Sequence, residues 1–547
     1  MTALPTPPST ALRRLGAAAL LMTAAVFLSR VIGFLREAFI ASRFGAGAET
    51  DAFFAAFTIP DWLNYLVAGG TLSISLLPIY ARHLAADDEA GANRALSVVT
   101  TVILTLVVLL IIVAEIFAEP LSRAFFHDMP PHALDSCVRY TRILLPAQLC
   151  FVAGGLMSAT LFARGHFRAA AFAPLLYNAG IILGGVVLAD RLGAASLAWG
   201  ALVGAFVGPF LIPAIAAYRA GARVSPRFAL NDRALREWLW LSLPLMVGVS
   251  LVTADDWVLR YFASGDEGSI SHLNYAKRLV AVPIAIAGQA VGQASMPFFT
   301  RLFAEGRRVE LADTVLRTVR GAGVLAIVLA GGLVALAEPV IGLLFVRGKF
   351  TVLDLDPTAR YLIVFAAAVP LWALQALLAR AFYAAGNTWL PMLAGTIVTV
   401  ISLPIYAFAY HHHGATGLAV ASGAGILLHT VSVAVLLPRL LPEIRGGAGA
   451  LAGGLLRAAV LAGLAAAAGW GAARAVAELV IASPTGWLAR CFAGGAAYAV
   501  IILIAARPLG VPEPAALLGR LLRRRRGPGP GPEAIADADP AAGPETM

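Results

Sequence analysis

The chain has 547 residues, of which 59% are hydrophobic and only 13% charged, and its mean hydropathy is +0.81. A soluble domain carries roughly 25% charged residues, so a water-soluble enzyme is excluded and a bilayer is the solvent for most of the sequence. The net charge of +10 would suit a nucleic-acid binder, but the basic residues fall in loops between apolar runs, where membrane topology requires them, and no nucleic-acid partner is expected.

Residues 1–14 read as a cytoplasmic N-terminus carrying Arg13 and Arg14. The apolar run that follows continues past Ser29 to Ser42. That exceeds the roughly 7–15 residues of a signal-peptide core, so it reads as a retained first helix. At about 20 apolar residues per crossing, further spans fall near 52–80, 95–118, 141–163, 169–189, 194–217, 238–263 and 271–299, then near 315–345, 358–385, 388–410, 414–438, 451–476 and 487–506. The expected fold is all-α and polytopic, with about fourteen transmembrane helices.

Basic loops stay in the cytoplasm. Arg219, Arg223, Arg227, Arg233 and Arg236 follow the sixth span, and Arg301, Arg307, Arg308, Arg317 and Arg320 follow the eighth. The alternate loops differ: 264–269 contains Asp266 and Glu267 with no base, and 410–414 is three histidines in a solvated loop without Arg or Lys. An even number of spans then puts both termini in the cytoplasm, in keeping with Arg523 to Arg526 at the far end. The Pro/Gly/Ala-rich segment beyond them has no apolar periodicity and is expected to be disordered.

The chain also repeats itself. Residues 51–85 read DAFFAAFTIP, a small-residue stretch, then PIYARHLA; residues 274–304 read NYAKRLVAVP, a small-residue stretch, then PFFTRLFA. Pro60 aligns with Pro283, Pro78 with Pro297 and Arg82 with Arg301. These segments lie on the second and eighth helices, which run in the same direction, so the repeat implies two pseudo-symmetric six-helix lobes able to rock about a central cavity. The lobes are assigned to 15–218 and 238–438, joined by a cytoplasmic loop at 219–237; two additional helices occupy 439–506, and the cytoplasmic tail is 507–547.

An arginine at the centre of a membrane helix costs roughly 2.5–3.5 kcal/mol on insertion scales, so one that persists there normally faces a cavity. Arg30 and Arg36 stand in the first helix with Glu37 beside Arg36, and Lys277 and Arg278 stand in the eighth. Lys277 is expected to snorkel to the interface. Asp255 and Asp256 lie in the seventh span, where a carboxylate could bind a coupling cation, pair with an arginine or sit at the interface. A cavity with several arginines and few acids suits an anionic solute, because the guanidinium fork matches phosphate and carboxylate.

Other chemistry is missing from the sequence. The string from Gly342 to Phe350 has one residue too many for a phosphate-cradling loop, and Phe350 stands where a hydroxyl is needed. The contiguous His411, His412 and His413 lack metal-ligand spacing. Cys137, Cys150 and Cys491 are scattered and read as packing residues. Neither a cofactor nor a metal site is expected.

The stretch from Ser29 to Arg36, SRVIGFLR, followed by F44-G-A-G and T50-D-A-F-F54, resembles the first two helices of the MurJ/MviN lipid II flippases. N274-Y-A-K-R-L279, F345-V-R-G-K-F350 and R380-A-F-Y-A-A-G-N-T388 with Pro391 extend the resemblance over most of residues 25–400. It implies the multidrug/oligosaccharidyl-lipid/polysaccharide exporter superfamily, with a cationic cavity between the lobes and the two extra C-terminal helices forming a groove for a lipid tail. Carried over by position, the cavity residues that bind substrate are Arg30, Arg36, Asp51 and Arg278. Asn64, Tyr65 and Gly69 replace charged residues of the family pattern, and Lys277 and Ala281 replace acids around Arg278. The implied activity is translocation of lipid II between leaflets of the bacterial cytoplasmic membrane, with membrane lipids and cell-wall synthesis enzymes as further partners. Energy would come from the membrane potential or from a coupling ion, Na+ or H+, among which the residues do not choose. Competing readings are a flippase for another polyprenyl-linked saccharide, a cation-coupled drug exporter, and a non-transporting membrane scaffold.

Overall fold

The computed structural model describes residues 9–68, 72–247 and 251–514. The start of the expected N-terminal segment, Gly69 and the tail beyond residue 514 lie outside them. The first span is α1 (Ser9–Phe44), and the second is the series α2 (Ala48–Ala55), α3 (Thr58–Ala68) and α4 (Leu72–Ala85). Then come α5 (Glu89–Phe125), α6 (Pro131–Leu144), α7 (Ala147–Ala163) and α8 (Arg168–Leu192). A π-helical turn joins α9 (Ala195–Ala205) to α10 (Ile212–Arg219). The seventh span is α11 (Arg233–Val247) with α12 (Leu251–Ala263); the eighth is α13 (Ser269–Ile284) and α14 (Val291–Ala304), joined by a second π-helical turn at Ala285–Ala290. The remainder is α15 (Arg308–Ala335), α16 (Ala337–Phe345), α17 (Leu355–Ala384), α18 (Trp389–Leu440), α19 (Arg445–Ala477) and α20 (Pro484–Ala505).

Among the described residues, ten helical segments are long and apolar enough to cross a membrane. One of them, α18, is two crossings. It turns back at Gly414, whose φ of 56° is a conformation open to glycine at little steric cost. Its arms lie antiparallel: a Cβ on Gly417 would stand 2.0 Å from the Ala409 carbonyl, and one on Gly425 3.1 Å from Ser402 Oγ. With those arms separated, and with α1, the α2–α4 series and the α11–α12 pair, every expected span is accounted for. His411, His412 and His413 form the last helical turn before Gly414 rather than the expected loop.

Small residues set the closest helix contacts, as they must where lipid supplies no hydrophobic drive between helices. Gly180 and Gly184 on α8 face Gly200 and Gly204 on α9 so tightly that a Cβ on Gly180 would lie 2.5 Å from the Gly204 Cα. Apolar side chains such as Ile116, Val187 and Phe492 point outward, as a hydrocarbon solvent demands.

The distribution of cores defines the molecule's shape. At the end away from the basic loops a single core joins both halves of the chain, from Phe53, Phe126 and Tyr140 on one side to Tyr275, Phe345 and Tyr406 on the other. Toward the basic end the core divides: one part is built on the first half, with Tyr80 and Leu96, and takes in Trp238 from the start of the seventh span, and another, containing Phe299, Phe382 and Leu437, belongs to the second. The halves therefore meet at one end and part toward the other. A fourth core packs α19 and α20 onto α15.

The segment linking the halves is stitched to α5, not free. Backbone N–H groups of Arg223, Ser225 and Arg227 donate to Asn93 Oδ1 (2.9 Å), Ser97 Oγ (3.1 Å) and Thr101 Oγ1 (3.0 Å), one turn apart on a single helix face. The segment leads into α11, which packs on α3, α4 and α5 of the first half, whereas α12 packs on α18 of the second. The seventh span thus changes sides partway across.

Candidate functional site

α1 runs between the halves and carries the central charges. Arg30 is accessible, and its Nη2 donates to Gln289 Oε1 at 2.7 Å in the π-helical turn of the eighth span. An irregular turn frees backbone carbonyls; here Arg380 Nη1 covers those of Gly288 (3.0 Å) and Gln289 (3.2 Å). Arg36 and Glu37, further along α1, point into protein. Arg36 donates to Asn178 Oδ1 at 2.9 Å and is ion-paired to Glu37. Glu37 is fully buried, accepts from Asn274 Nδ2 at 3.2 Å, and lies 3.3 Å from Arg278 Nε. One buried carboxylate therefore links Arg36 to Arg278, whose own side chain is 49% accessible.

Across from α1, Arg260 Nη1 contacts Asp61 Oδ2 at 3.1 Å and Thr58 Oγ1 at 3.3 Å, joining α12 to α3. Asp61 is within electrostatic range of Asp256 and Arg278, and Tyr177 on α8 within range of Arg36, Asp61 and Arg278. The Asp256 carboxylate is 55% accessible. Arg30, Arg278 and Asp256 are thus accessible charges on helices that lie between the halves, the positions a chamber wall would occupy.

Lys277, expected at the interface, instead ion-pairs with both Asp255 and Asp256. Asp255 is fully buried and also accepts from Tyr406 Oη and, at 3.0 Å, from Ser422 Oγ. The lysine ammonium thus sits where the sequence left room for a cation or an arginine. Beside the fully buried Asp255 carboxylate a positive charge is required, and the chain supplies one of its own.

Asp51 lies apart from the arginines, in the seam that closes the joined end. Its carboxylate accepts from the Gly268 N–H (2.5 Å), the Ser271 N–H (2.7 Å) and Ser271 Oγ (2.6 Å), so it caps the start of α13 from the other half of the molecule. The first turn of any helix has N–H groups without internal partners, and a carboxylate there is favoured. Glu267 Oε1, just before α13, accepts from the Ala48 N–H at 3.2 Å and caps α2 in return. The loop after α16 completes the seam: Lys349 N–H donates to Ser42 O at 2.8 Å, and Phe345 and Phe350 pack against Tyr275 at 5.3 and 5.9 Å. The F345-V-R-G-K-F350 motif therefore holds the halves together.

Replacing Asp51 with alanine strands three donors at about 1–3 kcal/mol for an unsatisfied buried group. The expected result is a smaller population of the joined-end-closed state, read as longer spin-label distances between the starts of α2 and α13. Unchanged distances would refute a capping role.

The structure thus links Arg36 to Arg278 through Glu37, leaves Arg30 accessible beside Gln289, sets Asp255 and Asp256 against Lys277, and places Asp51 in the seam. Glu37 as the link, and Asn178, Asn274 and Gln289 as its polar partners, were missed. Uncharged amides inside apolar runs were the available signal.

A family model described as "Lipid II flippase MurJ" matches residues 40–484. The "Probable lipid II flippase MurJ" of Bdellovibrio bacteriovorus is 28% identical over 445 residues, covering 78% of this chain and 83% of that protein. The protein of the same description from Buchnera aphidicola is 30% identical over 420 residues, covering 73% and 80%. Among solved structures, "Lipid II flippase MurJ, inward closed conformation" superimposes with a TM-score of 0.71 over 90% of this chain and 99% of that one, at 19% identity. That likeness establishes a shared fold.

Proposed function

Because the chain belongs to the lipid II flippase MurJ family, we propose that it carries lipid II, an undecaprenyl-diphosphate-linked disaccharide peptide, from the inner to the outer leaflet of a bacterial cytoplasmic membrane by alternating access. It acts as a transporter and makes no covalent change in its cargo. The observation that carries this reading is that Arg30 and Arg278 both remain accessible between halves that share a core at one end. A guanidinium fork pairs with a diphosphate in two parallel hydrogen bonds. Arg36 and Glu37 act as positioning residues, because their bonds to Asn178 and Asn274 fix the face of α1 that presents Arg30 and hold Arg278 in place.

The positive-inside rule supports a cytoplasmic setting for the parting end and both termini, so that the chamber would receive a headgroup from the inner leaflet while the polyprenyl chain stays in lipid, with α19 and α20 proposed as its groove. The two six-helix lobes then rock about the chamber. An inside-negative potential favours outward movement of an anion by about 2.3 kcal/mol per charge per 100 mV. With Lys277 filling the Asp255/Asp256 position, the potential is the energy source this arrangement supports best, ahead of a sodium or proton site. Membrane lipids and cell-wall synthesis enzymes are the partners consistent with this role.

The test is replacement of the endogenous flippase in a bacterium by this chain, followed by extracellular labelling of lipid II. Externally accessible lipid II in such cells supports the assignment; accumulation in the inner leaflet as after simple depletion refutes it. A flippase for another polyprenyl-linked saccharide is the second reading, favoured by Asn64 and Tyr65 standing where the family pattern carries charge.

A further inference from the structure

Where α3 meets α12 the packing is aromatic. α3 supplies Trp62 and Tyr65, and α12 supplies Trp257. Tyr65 and Trp257 stand edge to face with centroids 5.8 Å apart and planes at 84°, and Trp62 meets Trp257 at 6.3 Å and 86°. Toward the seam the series continues through Phe125, 4.8 Å from Trp62 and 5.0 Å from Tyr261. Since α3 and α12 run in opposite directions, Tyr65 and Trp257 are the members nearest the chamber, one turn from the Asp61–Arg260 pair and adjacent in sequence to Asp256.

This corner differs from a seal. The rings that close the seam, Tyr275, Phe345 and Phe350, are 0%, 0% and 1% exposed, whereas Trp62, Tyr65 and Trp257 are all partly accessible. Polar groups rim them: Asn64 Nδ2 donates to Gln148 Oε1 at 2.8 Å, and Asp61 and Asp256 flank the pair. An aromatic ring has an electron-rich face, and the axial C–H bonds of a pyranose present a weakly positive, apolar face that fits against it. The sugar's hydroxyls then lie at the ring edge, within reach of rim amides and carboxylates, the usual pattern of an apolar pocket with a few convergent polar groups.

We propose that Tyr65, Trp257 and Asn64 form a saccharide subsite beside the diphosphate subsite of Arg30 and Arg278, selecting polyprenyl diphosphates that carry a pyranose ring. The inference rests on the transport reading above and names the part of the headgroup that each wall recognises. Stacking replaces charge on this wall, so headgroup selection here depends on ring shape and is less sensitive to salt than the arginine contacts.

The test uses the full-length purified chain in lipid nanodiscs, with binding measured for lipid II and for undecaprenyl diphosphate without sugar. The unsubstituted protein binds lipid II more tightly. Trp257→Leu weakens lipid II roughly five- to tenfold, the effect of losing one aromatic stacking partner, and leaves the sugar-free lipid essentially unchanged; Trp257→Phe, which retains a ring, recovers most of the difference. Equal loss for both ligands would make Trp257 a packing residue and overturn the proposal, as would no loss for either. If the unsubstituted protein bound neither better than an anionic phospholipid, the transport reading would fall and the subsite with it.

Discussion

Arg278→Ala abolishes lipid II translocation while the protein still inserts and folds. The side chain is 49% accessible, and removing it leaves Glu37 still bound to Arg36 and Asn274. The stability loss is therefore at most about 1 kcal/mol, as for partly exposed ion pairs. The substrate loses a charge-assisted fork that its own headgroup would cover on binding. Truncating one side of such a contact costs about 2–5 kcal/mol, or roughly thirty- to several-thousandfold. The measurements are growth of flippase-depleted cells expressing the variant, extracellular lipid II labelling, and the yield and melting temperature of the purified protein. Arg278→Lys restores charge without the planar fork and recovers only part of the activity. Full activity of Arg278→Ala, with normal labelling, would remove the anion-binding role of the chamber.

Glu37→Ala has the opposite signature, a loss of stability first and of transport as a consequence. Glu37 is fully buried, and Arg36, with a side chain only 14% accessible, depends on it for its counter-charge. Arg36 Nε already has no hydrogen-bond partner among the described residues. Deleting one member of a buried pair leaves an uncompensated charge at about 3–5 kcal/mol. The expected readout is a melting temperature lowered by several degrees and a reduced yield of monodisperse protein. Adding Arg36→Met to Glu37→Ala recovers part of the loss, because the stranded charge is gone; this non-additivity is the sign of direct coupling. A single variant melting like the parent would show that Arg36 draws its compensation from elsewhere.

The sequence revealed most where the cost of a residue was visible without knowing its partners. Arg30 and Arg36 stood out because charge inside an apolar run demands a reason, and the spans followed from the length of the apolar runs. Lys277 was misplaced because its partners, Asp255 and Asp256, lie on an antiparallel helix whose register no local pattern discloses. Asp51 was assigned to the cargo by resemblance, whereas its bonds are to the backbone of a helix more than 200 residues away, which composition cannot register. The histidine run looked like a loop because it is polar, yet helix geometry persists to Gly414, where the backbone changes hand. Gly69, one of the positions departing from the family pattern, lies outside the described residues.

The exchanged caps at the joined end have a kinetic corollary. Each half's entry helix begins on a carboxylate borrowed from the other half, so no small separation can loosen one without loosening both. At the buried Asp51 cap a partial gap exposes bare amides before water has room to enter, whereas the Glu267 cap already stands in solvent. Opening is then a threshold event, a toggle with two resting positions, and the rate of the transport cycle is governed by how often thermal motion or bound cargo carries both starts across together.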